Sequence, residues 1–175
     1  MLTRRTVTLS AVLLASLLSA ATASAAFEAY LKLKGSKQGQ IKASESASKV
    51  DANAFRIESF KIVDPAGAPA GKRKHAPLVI TKEIDSASPK LLQALQTNEA
   101  LTELLVKASD PASKTPSDVT IEATNALVTK IDHVGTDAQH PSLAKGKSYE
   151  EISFTYQKIT VTNVAGKTSV TDNWE

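Results

Sequence analysis

Beyond residue 26, apolar and polar residues alternate with a period of two along much of the chain. In Phe27-Glu28-Ala29-Tyr30-Leu31-Lys32-Leu33-Lys34, the residues Phe27, Ala29, Leu31 and Leu33 share one face, as in a strand buried on one side. A longer stretch sets Val119, Ile121, Ala123, Leu127 and Ile131 against Thr120, Glu122, Thr124, Lys130 and Asp132. Leu78 with Ile80, and Leu104 with Val106, predict further short strands. In two places the phase slips by one residue: Phe55 and Ile57 give way to Phe60 and Ile62, and Ile152, Phe154 and Tyr156 give way to Ile159 and Val161. Such a slip in a long strand predicts a β-bulge, which bends a sheet and helps it curl. The pattern as a whole predicts a mainly β fold, an antiparallel β-barrel or two-sheet sandwich.

One segment has the other period. Ser88-Pro89-Lys90-Leu91-Leu92-Gln93-Ala94-Leu95 opens with a serine in capping position and a proline where a helix can begin without its N–H. It predicts one short α-helix over about residues 88–97, with Leu91, Leu92 and Leu95 as its apolar stripe and Asn98 as its stop. A helix of about three turns must dock on the sheet to be stable. Polar connections are expected at Gly35–Asn53, Asp64–His75, Ser109–Ser117 and Gly135–Lys147. The first is long for a hairpin and carries only Ile41 and Val50 as apolar anchors, and loops of that length are commonly functional or disordered.

The start of the chain has neither period. Arg4 and Arg5 precede an apolar run from Val7 to Leu18, and Ala23-Ser24-Ala25 forms a small-x-small site. A basic start, a short apolar run and such a site describe a cleavable export signal, with cleavage expected after Ala25. The run falls short of the about 20 apolar residues that span a bilayer, so no stable membrane insertion is expected once the signal is removed. Thr3-Arg4-Arg5-Thr6-Val7 leaves both the general and the twin-arginine export routes open. The expected organisation is a signal over residues 1–25 and a single domain over residues 26–175, exported to the periplasm or secreted.

Loss of the signal changes the chemistry on offer. Arg4 and Arg5 leave with it, so 19 basic residues remain against 18 acidic ones and the net charge drops from +3 to +1. That balance gives no long-range steering toward a polyanion, and no nucleic-acid partner is expected. The chain has no cysteine, and its one methionine is Met1. A sulfur-free mature protein has no disulfide scaffold, no iron–sulfur or thiolate zinc site and no cysteine nucleophile.

The search for catalytic motifs yields little. The chain holds no nucleophile elbow, phosphate-binding glycine loop, dinucleotide fingerprint or zinc-protease helix motif. Asp132, His133, Asp137 and His140 lie close in sequence, but the first two are neighbours whose side chains diverge, and a solvated loop is the simpler reading. Glu150 and Glu151 are adjacent and, on a strand, point to opposite faces, which makes a poor acid–base pair. Lys72-Arg73-Lys74-His75 has no aromatic residue interleaved for base stacking and reads as a solvated turn. No enzymatic activity, cofactor or metal is expected.

From Ala76 to Ala94 the chain resembles the Hcp family, the tube proteins of the bacterial type VI secretion system. The resemblance rests on a strand ending in Lys82-Glu83-Ile84-Asp85, followed by Ala87-Ser88-Pro89-Lys90-Leu91 opening the helix; Ile84, Asp85, Ser88, Pro89 and Leu91 carry the motif. Ala29-Tyr30-Leu31-Lys32-Leu33 and the stretch Tyr149–Ile159 agree in order and kind, so the pieces cover most of residues 27–175. The resemblance implies a compact β-barrel of two antiparallel sheets with one helix and no enzymatic activity. It also implies a homo-oligomer, a hexameric ring that stacks into a tube, shelters small effectors and has secreted effectors or spike-type proteins as partners. In the family the long loop after the first strand contributes to contacts between subunits or rings. The matching region here is Gly35–Asn53, so Ser36, Lys37, Gln38, Gln40 and Lys42 become the candidate interface residues, by position and not by residue identity.

One feature departs from the family. Its tube proteins assemble in the cytoplasm and carry no cleavable export signal, so the leader points to an exported relative that kept the barrel. The competing reading is an exported monomeric binding module that holds a ligand or envelope partner through its long polar loops. A hydrolase built on Asp132, His133, Asp137 and His140 is the third and weakest reading.

Overall fold

The computed structural model describes residues 28–49, 51–63, 76–109, 118–134 and 147–173. The expected signal, the Lys72–His75 cluster, and Asp137 and His140 lie outside these residues. In chain order the described elements begin with strands β1 (Glu28–Gly35), β2 (Gly39–Ile41), β3 (Ala54–Ile57), β4 (Ser59–Ile62) and β5 (Leu78–Glu83). Helix α1 (Ser88–Thr97) follows, then β6 (Leu101–Ser109), β7 (Val119–Thr124) and β8 (Leu127–Val134). Strands β9 (Tyr149–Thr155), β10 (Lys158–Asn163) and β11 (Thr168–Asn173) complete the set.

Every pairing among them is antiparallel. The larger sheet has the order β11-β10-β7-β6-β1-β2, with β3 pairing β1 beside β2; the smaller has the order β4-β5-β9-β8. The expected two-sheet antiparallel architecture with one short helix is what forms. Registry explains the core. Phe55 opposes Leu31, Leu31 opposes Val106, Val106 opposes Ile121, and Ile121 opposes Val161, so one transverse row of the larger sheet is continuously apolar. Ile80 opposes Ile152, which opposes Ile131, across the smaller sheet. Leu31, Phe55, Val106, Ile80, Ile152 and Phe154 are all fully buried between the layers, each such side chain contributing about 1.5–3 kcal/mol of transfer free energy.

The phase slips have a different cause from the one expected. β3 belongs to the larger sheet and β4 to the smaller, with only Glu58 between them; its N–H donates to the Thr81 carbonyl at 2.8 Å. β9 and β10 likewise belong to different sheets. Each slip is a corner where the chain crosses from one layer to the other. The core then lies on the opposite side of the strand, so the apolar phase must invert. The stretch 119–131 is also two strands and not one: Asn125 adopts φ 51°, and β7 and β8 lie in different sheets. Asn tolerates this left-handed conformation better than a branched residue does. Irregular registers occur instead at Lys34/Gly35 and at Val128/Lys130. Strand β11, which the pattern did not predict, is exposed on nearly every residue and holds by backbone pairing to β10 and a 3.0 Å hydroxyl contact between Thr160 and Thr171.

The helix spans the expected residues with two corrections. Asn98 closes it at φ 48°, as expected of a left-handed stop. Its N-cap, however, is Ala87, and the Ser88 hydroxyl makes no capping bond to the helix. The buried stripe is Leu91 and Ala94, joined by the half-buried Leu95, whereas Leu92 is 46% exposed. Residues three and four apart share a helical face; Leu91 and Leu92 are about 100° apart on the wheel.

Candidate assembly surface

The segment after β1 is fastened to the body at three places. At its start, the N–H groups of Lys37 and Gln38 donate to Glu99 Oε1 at 2.6 and 2.8 Å, and Gln38 Nε2 donates to Glu99 Oε2 at 2.9 Å. The same Gln38 amide reaches the Lys90 carbonyl on α1 at 3.0 Å. In the middle, Gln40 Nε2 donates to the Leu33 carbonyl at 2.8 Å and to that of Asn53 at 3.3 Å, closing the loop on itself. Further on, Ser46 Oγ donates to Asp85 Oδ2 at 2.6 Å, and Ser86 donates to Glu45 Oε2 through its hydroxyl at 2.7 Å and its N–H at 3.3 Å. The Ser86 bonds hold the exposed Glu45 carboxyl well below its usual range, at about 2.

These bonds sort the candidate interface residues. Gln38 and Gln40 spend their side chains inward, holding the loop in shape. The side chains of Ser36, Lys37 and Lys42 face solvent. Lys42 lines a shallow concavity together with Ala43, Ala47, Ala52 and Lys90. The segment expected as one long polar loop thus holds the short strand β2 and forms a fixed surface. Of its expected apolar anchors, Ile41 is fully buried, whereas Val50 lies outside the described residues.

The Ile84–Leu91 motif does different work. Lys82 is fully buried, and its Nζ lies 2.8 Å from Asp85 Oδ1, 2.9 Å from Glu150 Oε1, 3.1 Å from Ser88 Oγ and 2.6 Å from the Glu83 carbonyl. It also sits 5.8 Å from the centroid of the Phe55 ring, within cation–π range. Ser88 Oγ accepts the Asp85 N–H at 3.0 Å and donates to Glu150 Oε1 at 2.7 Å, while Asp85 Oδ1 accepts the Ala87 N–H at 2.9 Å. The side chains of Asp85 and Glu150 are 3% and 1% exposed. A buried charge is costly unless it is paired or hydrogen-bonded, and every charge in this cluster is both. Asp85 and Ser88 therefore fix the turn between β5 and α1 to the sheet. Pro89 occupies the first helical turn, and Leu91 is fully buried. Ile84 is 39% exposed and takes no part in the cluster.

The remaining candidates do not converge. Glu150 points into the buried cluster and Glu151 outward, 3.4 Å from Lys61, so they lie on opposite faces as expected. Asp132 pairs at the surface with Lys130 at 2.5 Å. Among the described residues, no three side chains of metal-ligating type come together, and no helix is long and apolar enough to cross a membrane.

Residues 30–162 match the family model described as "Type VI secretion system effector, Hcp". The chain belongs to the Hcp family. The matched span runs from β1 into β10 and leaves β11 beyond it. A "Major exported protein" of Pseudomonas aeruginosa is 32% identical over 162 residues, covering 83% of this chain and 94% of that protein. Among solved structures, "Secreted protein Hcp3 from Pseudomonas aeruginosa" has a TM-score of 0.67 at 27% identity, covering 86% of this chain and 99% of its own. Another, described as the crystal structure of an Hcp protein, has a TM-score of 0.72 at 23% identity over 86% and 99% of the two chains, a likeness of fold.

Sequence reasoning singled out the loop and the motif as candidates but not the groups that hold them. Lys82 and Glu150 were detectable, because each stands in the apolar phase of its strand, with Leu78 and Ile80 or with Ile152 and Phe154. Glu99 gave no such signal. It lies 62 residues from Lys37, in a short connection with no period of its own.

Proposed function

We propose that this Hcp-family chain is a non-enzymatic subunit that closes with copies of itself into a ring, hexameric as the resemblance implies. The observation that carries the reading is the fixed loop at residues 36–49, bonded to the body at Glu99, Asp85 and Ser86 while Ser36, Lys37 and Lys42 point outward. A preorganised surface loses little conformational entropy on docking, which is what a repeating contact between identical subunits needs. Secreted effectors or spike-type proteins are the partners that such a ring would carry. Residues 1–25 act as a cleavable export signal ahead of a single domain over 26–175, so the protein works outside the cytoplasm, in the periplasm or secreted. A chain removed through the general export route cannot join a tube built inside the cell, and the reading is of an exported relative that retains the ring-forming domain. Light scattering on the mature chain is expected to give six subunit masses. A strict monomer across all accessible concentrations overturns the ring. Mass spectrometry of the exported protein is expected to find Ala26 as its first residue, and an intact leader refutes the signal.

A second reading has its own support. A groove of about 600 Å³ crosses the outer face of the larger sheet, lined by Tyr30, Lys32, Lys107 and Thr120 and flanked by Lys49 and Asp51 from the loop. An exported monomer that holds a ligand there is the alternative, and it is preferred if the mature protein stays monomeric and deletion of the loop abolishes its binding.

A further inference from the structure

Glu99 is 2% exposed, yet it takes no part in the Lys82 cluster and has no ion-pair partner within bonding distance among the described residues. Burying a carboxylate costs several kcal/mol unless its oxygens are satisfied, so its surroundings must supply donors. They come from the turn between β1 and β2: two backbone N–H groups on Oε1 and the Gln38 side chain on Oε2. The turn is shaped around that carboxylate. A Cβ on Gly35 would fall onto Glu99 Oε1, so a larger residue there would displace the carboxylate from its place. Ser36 N–H binds the Ala100 carbonyl at 2.9 Å, one residue further along. Behind it, Asn98 in its left-handed conformation and the 2.9 Å bond from Glu99 N–H to the Ala94 carbonyl set Glu99 directly off the end of α1. A short antiparallel turn has no need of a carboxylate 62 residues away to close. The bonds instead lock Ser36, Lys37 and Gln38 to the helix end.

We infer that Glu99 is the positioning residue of the assembly surface, holding the Ser36–Gln38 turn in the single conformation that presents Ser36 and Lys37 to a neighbouring subunit. The inference rests on the proposed ring. A carboxylate suits the task because both oxygens only accept, whereas a carboxamide must turn its own N–H₂ toward at least one of the three donors.

The test is Glu99→Gln in the full mature protein, with amide hydrogen exchange read residue by residue beside the concentration dependence of assembly. Exchange at Lys37 and Gln38 is expected to quicken by about 10- to 100-fold, because both N–H groups lose a charged acceptor and the Gln38 side chain loses its own, while β5 and β9 exchange at the wild-type rate. Half-assembly is expected to require at least about tenfold more protein. Gln38→Ala removes only the side-chain arm from the turn, and is expected to move both readouts in the same direction by less; it carries the test if Glu99→Gln does not fold. Unchanged exchange at Lys37 overturns the inference, and so does a loosened turn with unaltered assembly. A wild-type chain that never assembles overturns the ring itself, and with it any positioning role.

Discussion

Lys82→Met provides a direct measure of what the Ile84–Leu91 motif is for. The substitution keeps an unbranched side chain of similar length and removes the cation paired with two carboxylates that are 3% and 1% exposed. Asp85 would retain the Ala87 N–H and the Ser46 hydroxyl, and Glu150 would retain the Ser88 hydroxyl, but two negative charges would share one buried site. Removing one partner of a buried pair costs about 3–5 kcal/mol, because the charge left behind stays desolvated. For a domain of this size each kcal/mol lowers Tm by about 2–4 °C, so a fall of roughly 6–20 °C is expected in a thermal melt. The cycle with Glu150→Gln gives a sharper outcome. If the two side chains belong to one network, the double variant is expected to lose about 1–3 kcal/mol less than the sum of the single ones. A loss below about 1 kcal/mol for Lys82→Met, or additivity within about 0.5 kcal/mol, would refute the cluster as the device that ties α1 to the smaller sheet.

Two further outcomes follow from the same geometry. Leu91→Ala, at a fully buried position, is expected to cost about 2–5 kcal/mol in urea unfolding, and Leu92→Ala, at one 46% exposed, less than about 0.5 kcal/mol; equal losses would contradict the helical phase. The Glu45 carboxyl is held near 2 by the Ser86 hydroxyl and N–H, against an ordinary value of 4.5. Its folded-state value is depressed, so its contribution is complete above the ordinary value and is lost as pH falls from about 4.5 through about 2. A carbon-detected NMR titration of the Glu45 carboxyl is the check, and a midpoint above 4 would show that the Ser86 contact does not persist in solution.

The parts of the fold that were legible are those with a local rhythm. Alternation at Phe27–Lys34 marks β1, and the leucines around Leu91 with Pro89 and Asn98 mark α1, because period, first-turn chemistry and stop all act within a few residues. The slips at Phe55–Ile62 and Ile152–Val161 were equally visible but ambiguous. A bulge inverts the phase by inserting a residue, and a corner inverts it by moving the core to the other side of the chain. Sequence alone does not separate the two, since both leave the same odd-to-even shift. Strand β11 escaped because its one apolar residue, Val170, faces solvent: it is held by backbone bonds that every sequence can make.

The candidate site divides along the same line. Lys82 and Glu150 are direct register partners on β5 and β9, each at a position where the alternation calls for an apolar side chain. Two opposite charges in the apolar phase of two strands are evidence of a buried pair even without a structure, since either charge alone in that place would unfold the layer. Glu99 has no such counterpart, because its partners are mostly backbone N–H groups, which carry no residue identity. The firmness of the turn at Lys37 and Gln38 therefore follows from a carboxylate that periodicity cannot reveal. That is also why a polar, serine-rich segment reads as slack in the sequence while serving as a fixed surface in the fold.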